Sequence, residues 1–249
     1  MRLIFLSTLF VVALTPYVHA QTKIKTSENQ LWFAYMNQTR LSNKFGFWAE
    51  AQLRTKEDFF SNFSTGIARV GLTYYVNDNT KITAGYAYVH SFPNIGNKNV
   101  SVPEHRPWQQ IQWHTKYGNK LRVMQYGRLE ERYRRKVLND DKLDDGYHFN
   151  WRARYSFLLQ GAIGAKPFEP GTISWILNDE IMVNFGEQIV NNYFDQNRFF
   201  AGFAYHVNKS GQLHFGYLNQ FIQQPSGNSY RTNHVVRFAY FHNLDLRKK

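Results

Sequence analysis

Charged side chains at alternate positions are the chemically distinctive feature of this sequence. Glu50, Gln52 and Arg54 occupy every second place in one stretch. Arg128, Glu130 and Arg132 do so in another, and Arg152 and Arg154 in a third. Arg69, Arg106, Glu180 and Arg198 stand in similar settings. A planar guanidinium binds an oxyanion through two parallel N–H groups, so arginine suits confined, paired charge better than lysine. The charged residues named here read as one network, with arginine in surplus over glutamate. That surplus could line an anion-preferring aqueous pore. The opposing reading is a structural set of Arg–Glu pairs filling a narrow bore.

Other chemistry finds less support. The chain has no cysteine, which excludes a disulfide framework, a thiolate metal site and a cysteine nucleophile. Nine histidines are present, and a five-residue turn would set His206 opposite His214, but two imidazoles make a poor metal site. The stretch Asn139-Asp-Asp-Lys-Leu-Asp-Asp145 offers four acids without EF-hand spacing and reads as a solvated loop. No G-x-S-x-G, H-E-x-x-H or Gly-rich phosphate loop occurs. His114, His148 and Ser156 are available to a barrel-embedded lipid enzyme, yet spacing does not unite them. We expect no catalytic residue, metal or cofactor. A net charge of +12 is what a nucleic-acid binder carries, but here the arginines alternate with apolar residues and form no contiguous stripe.

What must position these residues is a set of strands. Phe45, Phe47, Ala49, Ala51 and Leu53 alternate with Trp48, Glu50, Gln52 and Arg54. Phe149 to Leu159 and Phe199 to Val207 repeat the period of two, which belongs to a pleated strand with two unlike faces. Eleven such segments follow one another: 31–41, 45–54, 63–76, 81–91, 107–117, 121–134, 147–160, 173–185, 198–207, 212–223 and 233–243. Most are long enough to cross a membrane, which takes about 9–11 residues per strand. Short Asn- and Gly-bearing turns at Ser42–Lys44, Asn77–Thr80, Gly118–Lys120 and Asn208–Gly211 alternate with longer connections near 55–62, 92–106, 135–146, 186–197 and 224–232. That asymmetry is typical of outer-membrane barrels. Only 161–172 breaks it, being long where a short turn is due. Even strand numbers are the rule, so Thr22–Asn29 is expected to add a weak twelfth strand.

Facing follows from residue type. Aromatic residues make up 17% of the chain, while the mean hydropathy is only −0.52. A barrel with an aromatic outer wall and a polar bore reconciles the two. The registers set by the short turns place Trp32 opposite Arg54, Trp108 opposite Glu130, Gln110 opposite Arg128 and Arg106 opposite Arg132. Glu130 then lies among several arginines. Asp179 falls on the apolar face, which places it near an interface or in a bulge.

Four stretches stand out: Glu104-His-Arg-Pro-Trp-Gln-Gln110, Arg128-Leu-Glu-Glu-Arg132, Asn178-Asp-Glu-Ile181 and Phe194-Asp-Gln-Asn-Arg198. They resemble the recurring motifs of a domain-of-unknown-function family of bacterial outer-membrane β-barrels. The resemblance spans nearly the whole chain after residue 20 and implies fold and location, but no activity. Two departures stand out. Tyr126 occupies a place where the family's pattern has Arg, and the C-terminus reads Leu246-Arg-Lys-Lys249 rather than ending on an aromatic residue.

Residues 1–20 read as a secretory leader: Arg2, an apolar run from Leu3 to Leu14, and a small-residue cleavage site at Val18-His19-Ala20. The expectation is therefore a cleaved leader (1–20) followed by one all-β domain (21–249). That domain is a single antiparallel transmembrane β-barrel of about twelve strands, with ten as the alternative. Its expected place is the outer membrane. Its expected partners are outer-membrane lipid, the barrel-assembly machinery and small anionic solutes, with no nucleic acid.

Overall fold

A computed structural model describes residues 23–57, 59–94 and 97–247; the expected leader lies outside them. The described chain is a succession of strands without a helix. They are β1 (Ile24–Arg40), β2 (Phe45–Lys56), β3 (Asn62–Tyr75), β4 (Thr80–Ser91), β5 (Val102–Tyr117) and β6 (Leu121–Asn139), then β7 (Lys142–Ala162), β8 (Ile173–Phe185), β9 (Phe194–His206), β10 (Gly211–Gln223) and β11 (Ser229–Asp245). The shortest have 12 residues and the longest 21. All exceed the span that a tilted strand needs to cross the apolar layer, about 9–11 residues.

Each strand pairs antiparallel with the next, and the sheet closes into a barrel through β1 and β11. The strand number is eleven among the described residues, not twelve or ten. The segment expected as a separate strand is the start of β1, because nothing in Asn29-Gln30-Leu31 turns the chain. An odd count leaves the first and last strands running the same way, so their ladder is parallel, from Ile24↔Ser229 to Arg40↔Asp245. This seam sets like against like. Phe33 stacks on Phe238 with ring centroids 5.8 Å apart, and Tyr35 on Tyr240 at 6.2 Å.

The two faces of the sheet differ as a membrane barrel requires. Leu72, Val70 and Phe45 are 78%, 59% and 62% exposed on the outside, in a wall continued by Ile111, Phe157, Leu177, Phe203 and Phe238. Buried within are Glu50, Arg69, Gln110, Arg128, Glu130 and Arg152. A water-soluble barrel has the reverse arrangement. Asp179 is an acid on this outer wall. It lies neither in a bulge nor at a strand end, but midway along β8 in a regular ladder between Phe157 and Phe199. Its carboxylate accepts a hydrogen bond from Asn197 Nδ2 at 2.9 Å.

Tight turns form where their side chains cap the backbone. Asn77 Oδ1 accepts from the amides of Asn79 and Thr80, both at 2.8 Å, and Asn208 Oδ1 does the same for Ser210 and Gly211. Two connections depart from expectation. Residues 135–146 are not a loop; β6 and β7 run through them, separated only by Asp140 and Asp141, with bulges near Val137. Their polarity on both faces conceals the strand period, since this hairpin stands beyond the apolar wall. The 163–172 connection remains long, and its Phe168 ring meets the Arg122 guanidinium at 3.7 Å.

Candidate functional site

The inward positions of β2, β3 and β5–β9 converge on a belt of ion pairs across the bore. Glu130 is its hub and has no exposed surface. Its Oε2 accepts from Arg152 Nε at 2.9 Å and Nη2 at 2.5 Å, and its Oε1 from Arg154 Nη1 at 2.7 Å. Arg69 and Arg128 approach Oε1 at 3.5 and 3.7 Å. Arg69 reaches Glu130 through the bore, since β3 and β6 are not neighbours in the sheet. Its main partner is Glu50, directly opposite on β2, at 2.6 and 2.7 Å.

Two further carboxylates extend the belt. Glu180 binds Arg154 Nε at 2.9 Å and Nη2 at 2.5 Å, lies 3.6 Å from Arg198 and accepts from the Tyr126 hydroxyl. The tyrosine that departs from the family pattern thus serves as a neutral donor. Glu104 holds Arg106 at 2.5 Å and Arg132 at 2.7 Å. Registers on either side place Arg106 and Arg132 opposite one another, but both turn to Glu104 and not to Glu130. A buried carboxylate between like charges compensates them both, which an isolated pair could not.

Arg54 stands apart. Its guanidinium lies 3.8 Å from the centre of the Trp32 ring, opposite it in register, and its Nη2 donates to Gln52 at 2.7 Å. Its buried Nε has no hydrogen-bond partner among the described residues. Arg198 approaches the same indole at 5.2 Å. Arg128 lies over Trp108 at 4.7 Å, with Nε on Gln110 at 2.8 Å. Trp108 fits because Gly71 and Gly85 face one another beneath it; a Cβ on Gly71 would sit 2.9 Å from its ring.

Three inward-facing residues lie beyond the network expected from alternating charge. Glu104 and Asp195 both lie inside the motif stretches, so the signal was present. Asp195 is the extra residue of a β-bulge: Met182 pairs with Gln196 and Val183 with Phe194. The bulge turns its carboxylate inward to Arg152 at 2.9 Å. Arg237, opposite Trp32 across the seam, lies 5.3 Å from the Phe200 ring. Among the described residues, the belt and the inward positions beside it then carry nine arginines (54, 69, 106, 128, 132, 152, 154, 198 and 237) and five carboxylates (50, 104, 130, 180 and 195). Arg54 and Arg237 have no carboxylate within 4.0 Å among the described residues.

Toward the short turns the bore opens into a vestibule of about 470 Å³, lined from β1, β4–β7, β10 and β11. Lys81, Lys116 and Arg122 supply its cations, and four glutamines its amides. Nearby, His206 pairs with Gln212 and not with His214. Its Nε2 is 3.0 Å from Ser174 Oγ, but Ser174 has no exposed surface, and no carboxylate bonds His206 among the described residues. No group of three or more metal-ligating His, Cys, Asp or Glu forms among them either. Ser156 accepts from Asn178 and does not meet His114, which bonds Gln112.

A closed sheet with an apolar outer wall and a charged bore defines a membrane β-barrel. The chain belongs to the family of proteins of unknown function DUF2490, which matches residues 29–231. It is also similar to a solved structure described as the NanC porin in a rhombohedral crystal form. The TM-score is 0.47 and the identity 12%, over 86% of this chain and 99% of that one. No curated protein matches.

Proposed function

We propose that the protein is an outer-membrane barrel that admits small anionic solutes to an arginine-rich bore. Residues 1–20 are removed on export, the short turns face the periplasm, and insertion depends on the barrel-assembly machinery. The observation that carries this reading is the excess of nine arginines over five carboxylates in and beside the belt, with Arg54 and Arg237 left without a carboxylate among the described residues. A fixed cationic surplus inside low-dielectric walls raises the local concentration of anions and repels cations. Reconstitution in a planar bilayer is the test. Discrete conductance with anion preference is expected; a silent or cation-selective barrel would overturn it.

A second reading has its own support. Trp108 and Glu130 are wholly buried at the centre, where the ion pairs fill the bore. A barrel closed there would bind through its long loops and show no conductance. An enzymatic role has weaker support, because Ser174 and His206 lack an orienting acid among the described residues. Phospholipid turnover abolished by Ser174→Ala would be needed to sustain it.

A further inference from the structure

The vestibule at the short-turn end differs from the belt in one respect: its cations have not found carboxylates. Lys81 is only 8% exposed, and the side chain that receives its ammonium is Gln38. Asp78 lines the same space, but its carboxylate is committed to Arg40 at 2.7 Å, with Arg247 at 3.9 Å. No carboxylate lies within 4.0 Å of Lys81, Lys116 or Arg122 among the described residues. A buried cation without a counterion is costly to keep, and an incoming oxyanion would relieve that cost.

Arg122 is held in place by an unusual device. Phe168 stacks under its guanidinium at 3.7 Å and sets its edge to His206 at 5.6 Å. Phe168 has φ of 60°, in the left-handed region that bulky side chains avoid. Such strain persists only where surrounding contacts enforce it, and it gathers at functional sites. The connection carrying Phe168 is also the one that is long where its counterparts are short. Excess length and strain together deliver one aromatic ring to one vestibule cation.

Size and lining narrow the ligand. A volume of about 470 Å³ falls within the range of small-molecule sites and exceeds what a bare inorganic anion fills. Gln38, Gln112, Gln160 and Gln212 present both donors and acceptors, which suits hydroxyl groups. Met124, Leu158 and Phe241 give an apolar side against which a carbon skeleton can rest. We propose that this mouth is a binding site for a small hydroxylated organic oxyanion, held by Lys81 and Arg122, with Phe168 as the positioning residue of Arg122. The assignment rests on the anion-binding reading above but needs no conduction.

Calorimetric titration of the detergent-folded barrel tests it, with glycerol 3-phosphate and gluconate as probes and glucose as the neutral comparison. Saturable binding of a charged probe and none of glucose is expected, and the tighter probe tells phosphate from carboxylate. Lys81→Met and Arg122→Met should each weaken binding by about tenfold or more. Lys98→Met, an exposed cation at the opposite end, should leave it unchanged. Phe168→Ala should weaken binding in the native background and add nothing to Arg122→Met. Heat-modifiable gel migration verifies that each variant is folded. A conducting barrel that binds neither probe would overturn the site and spare the channel. A silent barrel that binds one and loses it with Lys81→Met would uphold the site alone. Equal losses in folded Lys98→Met would also overturn it.

Discussion

Arg152 and Glu130 lie directly opposite one another on β7 and β6, and the guanidinium grips a single carboxylate oxygen through both Nε and Nη2. The other oxygen is left for Arg154, Arg69 and Arg128. One carboxylate thereby serves four arginines drawn from three strands, and β3 is bound through the bore to β6 and β7. The belt is a cross-brace as well as a charge distribution.

Glu130→Gln should therefore act on stability first. Removing one partner from a buried ion network costs about 3–5 kcal/mol, because it leaves charge uncompensated. Urea unfolding in lipid vesicles measures this. A midpoint equal to that of the native protein would show that the belt does not brace the barrel.

Arg54→Leu should act on selectivity instead. This arginine has no carboxylate to orphan, and its contact with Trp32 is worth about 0.5–2 kcal/mol. The reversal potential under a salt gradient should move toward zero while unfolding changes little. An unchanged potential would remove Arg54 from the path of the ions.

Closure can be checked covalently. Ala34 and Ala239 are register partners across the parallel seam, and the chain has no cysteine to compete. In the double variant Ala34→Cys with Ala239→Cys, neighbouring Cα atoms fall within disulfide reach, about 4.4–6.8 Å. Oxidation should give an intramolecular bond that shifts migration of the unfolded chain. Failure there, with success for a register-shifted pair, would disprove the parallel in-register seam.

The β3–β4 turn should respond to acid. Arg40 donates to Asp78 at 2.7 Å and holds its carboxyl below the usual carboxylate range. A depressed folded pKa means that the contact supports the fold above the unfolded pKa and is lost as pH falls through the lower, folded one. The protection of the amides in residues 77–80, taken against an unstructured peptide at the same pH, should hold from neutral pH through the ordinary aspartate range and fall only in stronger acid. Protection lost near the ordinary aspartate pKa would show that the pair does not form.

Much of this barrel is legible locally. Trp32 faces Arg54, Trp108 faces Glu130 and Gln110 faces Arg128 because a tight turn sets the register of the hairpin it closes. Alternation divides lipid-facing from enclosed residues for the same reason: successive side chains on a strand point to opposite faces. The β6–β7 hairpin was illegible because, beyond the apolar wall, both of its faces are wet. Glu104 and Asp195 sat within motif stretches, yet nothing in their spacing told which arginine each would bind.

The sequence by itself determined the strands, their facing and the registers across short turns, all consequences of neighbours in the chain. The tertiary structure alone decided the rest. Eleven strands rather than twelve depends on whether the first can pair with the last, a contact between residues some two hundred positions apart. The bulge that turns Asp195 inward depends on the partner strand β8. The sharing of Glu130 among Arg69, Arg128, Arg152 and Arg154 depends on the closed bore, which brings β3 within reach of β6. Charge pairing across a lumen is set by the curvature of the whole sheet, and no local pattern encodes it.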